Sequence, residues 1–132
     1  MIDSKELRIG NLAESPTGWI GSVIELKSSF VRLYEKDDLS AYNFGSDLID
    51  PIPITPEWLE RLGFDYKEHK DILSLAIDDK TIVLAYTNPL EIELCHFYSE
   101  ETTLLKHIIY VHQIQNLIFA LTGQELNQKD NA

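Results

Sequence analysis

Turn signals cut the first 54 residues into short runs, and this spacing constrains the fold more than any other feature of the sequence. Gly10-Asn11 ends the first run, Ser15-Pro16-Thr17-Gly18 forms a loop, and Lys36-Asp37-Asp38 forms a charged turn. Proline fixes φ and glycine supplies positive φ, so the chain turns at such segments. The runs between them, several rich in aromatic and β-branched residues, are expected strands: residues 7–9, 19–26, 30–34, 39–44 and 48–54.

Four or five short strands at this spacing are typical of a small antiparallel barrel. We therefore predict an SH3-like β-barrel over residues 1–54. Pro51 and Pro53 lack a backbone donor, so the run at 48–54 is either an edge strand or an extended exit segment.

A short helix is predicted directly after this region. Thr55 is a good N-cap and Pro56 fits the first helical position, where its missing N–H has no cost. Gly63 is placed to end the helix in a left-handed conformation, and Phe64 can then cover Leu59.

The next block predicts a second antiparallel sheet. Residues 72–77, 81–87 and 91–98 read as strands, separated by turns at 78–80 and Asn88-Pro89, with a further turn at 99–101. Residues 102–108 fit either a fourth strand or the start of the next helix, because their apolar positions also match a period of 3.6.

A C-terminal amphipathic helix is predicted over residues 110–121. Its apolar residues recur at three- and four-residue steps, and Gly123 is placed to end it. These residues are Val111, Ile114, Leu117, Ile118 and Leu121. We expect this helix to pack on the second sheet and residues 127–132 to form a frayed tail. The predicted class is α+β, one domain over 1–132, with a barrel part at 1–54 and the remaining elements at 55–126.

Composition excludes several functional classes. The 132 residues carry a net charge of -11 and a single cysteine, and no stretch approaches the roughly 18 apolar residues of a membrane span. One cysteine forms no internal disulfide, and no zinc-ligand spacing is present. Twenty-two acids against 11 bases make nucleic acid an unlikely partner. Residues 1–10 carry charges and lack the apolar core of a secretory signal, so we expect no such signal.

Catalytic motifs are missing from the sequence. Cys95 and His96 are adjacent in a predicted strand and point to opposite faces, so His96 is poorly placed to activate the thiol. His107 and His112 are five residues apart, which is not a metal-binding helical spacing, and His69 and His96 have no ligand pattern. No nucleophile elbow or phosphate-binding loop occurs. We expect no enzyme, no cofactor and no metal.

The polar cluster of His112, Gln113, Gln115 and Asn116 allows two interpretations. His112 and Asn116 lie four apart on one helical face, with Gln113 beside them, whereas Gln115 points elsewhere. They form either a recognition surface for a partner or a set of bonds that tie the helix to the neighbouring sheet; the second is the more common role of such side chains.

Three segments together resemble a family of short uncharacterised bacterial proteins that also occur in phages and mobile elements. The segments are residues 7–11, residues 51–59 with Gly63-Phe64, and residues 110–117 with 120–123. The resemblance implies one co-folding unit in a prokaryotic cytoplasm and gives no catalytic residues.

Three functional hypotheses follow, and the weakest is a nucleic-acid-binding barrel, which the acidic charge opposes. The first is a non-enzymatic protein-binding module, which could form a homo-oligomer, with Trp19, Trp58 and Tyr110 as candidate anchors. The alternative is an acidic inhibitor that mimics nucleic acid and blocks a nucleic-acid-acting enzyme, since a dense negative face would fit a basic groove.

Overall fold

The computed structural model describes residues 2, 4–66, 71–96 and 102–126. The chain divides into two compact units. Unit 1 comprises Met1–Pro53 and Tyr110–Asn116, and unit 2 comprises Ile54–Ile109 and Leu117–Ala132. The described elements confirm an α+β protein with a four-stranded sheet, a five-stranded sheet and one long helix near the C-terminus.

The sheet of unit 1 is antiparallel, with its strands in the order β1-β2-β3-β4. The strands are β1 (Leu12–Glu14), β2 (Ile20–Leu26), β3 (Phe30–Glu35) and β4 (Ser40–Gly45). Short 3-10 helices at Ser4–Glu6 and Ser46–Leu48 precede and follow them. A change of register between Val23 and Glu25 marks a bulge in β2.

The core of unit 1 forms on one face of this sheet. Four inward-facing sheet residues are fully buried there together with apolar residues from outside the strands. These residues are Ala13, Val23, Val31 and Leu33, with Ile2, Leu7 and Ile49. The core face is therefore covered from both ends of the 1–54 region.

The predicted strand at 7–9 is wrong. The Arg8 N–H donates to Asn11 Oδ1 at 2.7 Å, and the Asn11 N–H donates to the Arg8 carbonyl at 3.1 Å. These bonds close a turn over 8–11, and Gly10 has φ of 99°. Asparagine side chains compete with strand pairing in this way, so β1 begins only at Leu12.

The run at 48–54 is not a regular strand. It begins at the end of a 3-10 helix and then makes two isolated bridges, Glu14↔Asp50 and Pro53↔Tyr110. This matches the expected extended exit segment, since the prolines at 51 and 53 interrupt continuous pairing.

Unit 2 begins with α1 (Pro56–Arg61), which forms as predicted. Thr55 Oγ1 accepts a hydrogen bond from the Trp58 N–H at 3.2 Å, and Pro56 occupies the first turn. Gly63 has φ of 101°, and the Phe64 N–H donates to the Leu59 carbonyl at 2.9 Å. The cap residues thus set both ends of the helix.

A five-stranded antiparallel sheet follows, in the order β5-β6-β7-β8-β9. The strands are β5 (Asp65–Tyr66), β6 (Ile72–Ala76), β7 (Thr81–Thr87), β8 (Leu90–His96) and β9 (Thr102–Leu104). The segment 102–108 therefore starts as a strand, not as a helix. Three predictions concern residues outside the described ranges. They are those for His69, for the strand end and turn at 97–101, and for the tail at 127–132.

Helix α2 (Val111–Thr122) is close to its predicted position. Its first part belongs to unit 1, where the Val111 N–H donates to the Ile52 carbonyl at 2.8 Å. The polar side chains of this part bond to residues 6–12, an association that the sequence did not predict. Leu121, predicted in the apolar stripe, is 44% exposed.

No helix in the described ranges is long and apolar enough to cross a membrane.

Candidate functional site

Asn116 binds three residues of the segment 6–12 in unit 1. Its Oδ1 accepts hydrogen bonds from Arg8 Nε at 2.9 Å and from Asn11 Nδ2 at 2.8 Å. Its Nδ2 donates to the Glu6 carbonyl at 2.8 Å. A single amide therefore holds the turn over 8–11 against the helix.

Gln115 is fully buried and bonds to the same segment. Its Oε1 accepts from the Leu12 N–H at 2.8 Å, and its Nε2 donates to the Gly10 carbonyl at 3.4 Å. Gln113 acts locally instead, because its Oε1 accepts from the Tyr110 N–H at 3.0 Å at the start of α2. Helical geometry predicted Gln113 beside Asn116 and Gln115 on another face. In the structure, Gln115 and Asn116 both bond to the segment 6–12.

His112 is buried between the helix and the segment 6–12. Its ring stacks on Tyr110 with centroids 5.9 Å apart, and its Nε2 lies 3.4 Å from Glu6 Oε2. Its Nδ1 is buried without a hydrogen-bond partner within the described part of the chain. Burial lowers the pKa of His112, and the hydrogen bond and charge of Glu6 only partly oppose this shift. The imidazole is thus held neutral near pH 7.

These contacts leave little of the polar cluster for a recognition surface. His112 and Gln115 are both 0% exposed, so neither side chain is accessible to another molecule. The hydrogen bonds of Asn116 and Gln115 satisfy backbone and side-chain groups of the same chain. This is the second interpretation of the cluster, in which its side chains tie the helix to its neighbours.

The unit 2 residues considered for catalysis are also engaged within the chain. Cys95 Sγ donates to Glu93 Oε1 at 3.3 Å, while His96 Nδ1 lies 3.2 Å from Thr81 Oγ1. The thiol and the imidazole therefore have different neighbours. Among the described residues, no group of three or more His, Cys, Asp and Glu side chains is arranged to hold a metal ion.

An aromatic surface, formed by Trp19, Tyr42 and Phe44, lies on unit 1. The ring centroid of Trp19 is 5.8 Å from that of Tyr42 and 5.7 Å from that of Phe44, and the last two are 6.5 Å apart. Tyr42 and Phe44 are two residues apart in β4, so their side chains share a face of the sheet. They pair with Leu33 and Val31, which places them on the core face.

Gly21 makes room for the tryptophan. A Cβ at Gly21 would lie 2.6 Å from Trp19 Cζ3, so the ring covers a position that only glycine leaves open. The loop 15–18 holds the backbone of Trp19, because Ser15 Oγ accepts from the Trp19 N–H at 3.2 Å. Trp19 and Phe44 pack partly against the core, while Tyr42 remains 42% exposed.

A carboxylate adjoins this surface. The Tyr42 hydroxyl donates to Asp38 Oδ2 at 2.6 Å, and this hydrogen bond raises the pKa of Tyr42. Ser40 Oγ donates to the Asp38 carbonyl at 3.2 Å. Between them, Leu39 adopts a positive φ of 52° and is 76% exposed. Strained non-glycine residues of this kind occur preferentially at functional sites.

Trp58, the other predicted anchor, has a different environment in unit 2. It is half-buried on α1, and the Arg61 guanidinium lies 5.0 Å from its ring centroid. This intramolecular cation–π contact covers one face of the ring. Trp19 was predicted from the sequence as a candidate anchor, whereas Tyr42, Phe44 and Asp38 were not. The signal was available in Tyr42-Asn43-Phe44, whose alternation places two aromatic side chains on one face.

No family model matches this chain, and no match is found among the curated proteins or the solved structures. The candidate site is therefore defined by its own side chains, three clustered rings beside an exposed carboxylate.

Proposed function

We propose that this chain is a non-enzymatic protein-binding module whose contact site is the aromatic surface of Trp19, Tyr42 and Phe44. The observation that carries the proposal is the clustering of three rings within 5.7 to 6.5 Å, with Tyr42 42% exposed. Tryptophan and tyrosine dominate the binding energy of protein interfaces because they bury large areas at a low entropic cost.

We further propose that unit 1 is the small SH3-like barrel expected from the sequence. Two observations support this proposal. Glu14 and Asp50 exchange both backbone hydrogen bonds, at 2.9 and 3.0 Å, so the segment after β4 returns to pair with β1 at the opposite side of the sheet. The bulge between Val23 and Glu25 bends β2, as barrel closure requires.

The proposed setting is the prokaryotic cytoplasm, in a phage or mobile-element context, as the family resemblance implies. The proposal includes no catalytic residue, cofactor or metal. A protein is the expected partner, since a net charge of -11 repels nucleic acid and favours association with basic surfaces. The same charge supports the alternative, an acidic inhibitor that occupies the groove of a nucleic-acid-acting enzyme.

Site-specific photo-crosslinking in a bacterial host tests the proposal. Tyr42 is replaced by benzoyl-phenylalanine in one variant and Tyr66 in the control, because Tyr66 is similarly exposed, at 45%, on unit 2. We expect a discrete adduct from position 42 and none from position 66. Identical adducts at both positions, or none at position 42, would contradict the proposal.

The mass of the adduct then separates the remaining forms of the hypothesis. An adduct with a second copy of the chain supports a homo-oligomer, and one with a nucleic-acid-acting enzyme supports the acidic inhibitor. An adduct with any other protein supports the binding module in its simplest form.

A further inference from the structure

We propose that the aromatic surface receives an extended, basic segment of a partner protein, which adds as a strand to the outer edge of β4 and places an Arg or Lys side chain on the rings beside Asp38. This inference rests on the proposed function and specifies its ligand. It combines the edge position of β4, the spacing of its aromatic residues and the charge around it.

The edge of β4 is open to pairing. β4 is the last strand in the order β1-β2-β3-β4, and in the described ranges no strand pairs with its outer side. An edge strand presents a row of unpaired N–H and C=O groups to which an extended peptide can bond. The six residues Ser40–Gly45 are long enough to pair with a short peptide.

The two-residue spacing of the aromatic side chains in β4 matches the spacing of side chains along one face of an added strand. Tyr42 and Phe44 project from one face at alternate positions, with Trp19 against both. Every second residue of an incoming strand would project from this same face, next to the rings. A cationic side chain there gains a cation–π contact, which tryptophan and tyrosine provide most strongly.

The charges at both ends of β4 favour a basic ligand. Glu35 ends β3, and the turn that follows it contains Asp37 and Asp38 against one lysine. Asp38 lies at the rings through its bond to Tyr42. At the other end, the carboxylate of Asp47 lies close to Gly45. Its Oδ1 is 2.7 Å from the point that a Cβ would occupy if residue 45 had one. A second copy of the chain, itself at -11, would be repelled from this edge.

Fluorescence titration tests the inference with Trp19 as the reporter. The protein contains two tryptophans, so the Trp58→Phe variant leaves Trp19 as the single emitter. The probe is an alternating peptide of Arg and Val, with a Glu and Val peptide as its charge control. We expect saturable binding of the Arg peptide, weakened by added salt, and none of the Glu peptide.

Backbone methylation of the probe tests strand addition directly. Two further Arg peptides carry N-methyl groups on alternate residues, one peptide for each alternation. In an added strand only one set of N–H groups faces β4, so one methylated peptide should bind at least about tenfold more weakly while the other retains its affinity. Equal binding by both would overturn the inference.

Substitutions locate the bound peptide. We expect Tyr42→Ala to weaken binding about tenfold and Asp38→Asn about threefold. The matched controls Tyr66→Ala and Asp79→Asn, both at exposed unit 2 positions, should leave affinity unchanged. Circular dichroism establishes that each variant is folded. Unchanged binding by folded Tyr42→Ala and Asp38→Asn would also overturn the inference.

The two proposals fail in different ways. A partner crosslinked through position 42, together with no binding of the Arg peptide, would retain the binding module and reject the basic strand. Absence of both signals would reject the aromatic surface as a binding site altogether.

Discussion

The side-chain Oε1 of Gln115 lies 2.8 Å from the backbone nitrogen of Leu12 and accepts its hydrogen bond. A side chain of α2 thus provides the hydrogen-bond acceptor for a backbone N–H of β1, 103 positions earlier in the chain. The buried amide also donates to the Gly10 carbonyl. It therefore bonds to one backbone group two residues before β1 and to another at the first residue of β1.

Replacing Gln115 by alanine should destabilise the protein by about 2 kcal/mol. The change removes the bonds to the Leu12 N–H and to the Gly10 carbonyl, and it leaves the N–H of Leu12, a half-buried residue, without this acceptor. Urea denaturation measures the loss, and hydrogen exchange should accelerate at the Leu12 amide. Gln124→Ala, at an exposed position after the helix, is the control and should change stability by less than about 0.5 kcal/mol. An unchanged Leu12 exchange rate would show that the bond is unimportant.

Arg8 and Asn116 should be energetically coupled. Their bond joins a charged donor to an amide oxygen at 2.9 Å, and Asn116 also holds the adjoining turn. A double-mutant cycle of Arg8→Ala and Asn116→Ala should therefore give a coupling free energy of about 1 kcal/mol or more. Thr122→Ala supplies the control cycle with Arg8→Ala, since Thr122 Oγ1 donates to the Ile118 carbonyl within α2. That pair should be additive; equal coupling in both cycles would contradict the prediction.

Stability should fall as the pH decreases through the range of histidine titration. Burial lowers the folded-state pKa of His112 below its ordinary value of 6.5, so the unfolded chain binds the proton more readily. The resulting stabilisation is complete above about pH 7.5 and declines from there until the pH passes below the folded-state pKa. Urea denaturation at about pH 7.5 and pH 5.5 measures this decline.

His112→Phe identifies the group responsible. Phenylalanine retains a ring that can stack on Tyr110 but does not titrate, so the decline between the two pH values should become smaller. His107→Gln, at an exposed turn position, is the control and should retain the decline of the parent protein. The assignment fails if His112→Phe has the same pH dependence as the parent.

Gly21→Ala should displace the ring of Trp19. A Cβ at this position would lie 2.6 Å from Trp19 Cζ3, 3.0 Å from the Tyr34 carbonyl oxygen and 3.2 Å from Leu33 Cβ. The latter two atoms are fixed in β3, so the indole must move, at a cost of about 1–3 kcal/mol. In the Trp58→Phe background, the emission maximum of Trp19 should shift to longer wavelength.

The comparison variant is Gly18→Ala. Gly18 has φ of 95° but no atom within 4 Å of an added Cβ, so alanine introduces backbone strain without a contact on the indole. It should reduce stability and leave the emission maximum in place. A shift of equal size in both variants would contradict the steric explanation.

Local signals predicted α1 to the residue at its N-cap. Thr55, Pro56 and Gly63 act on backbone groups within a few positions of themselves, so their roles can be read from neighbouring letters. The run at 7–9 shows the limit of such reasoning. Its apolar alternation suggested a strand, but the side chain of Asn11 closes a turn, and Leu7 joins the core from outside the sheet.

Periodicity and turn residues act over short distances, so they predict most strands, the capped helix and the amphipathic helix from the sequence. The burial of the polar side chains and the contacts between the aromatic rings arise only when distant segments of the chain come together. Asn116 accepts a hydrogen bond from Arg8, which lies 108 residues earlier in the chain. The rings of Trp19 and Tyr42 come into contact only when β2, β3 and β4 pair. Such contacts depend on the register of distant segments, which no local pattern encodes.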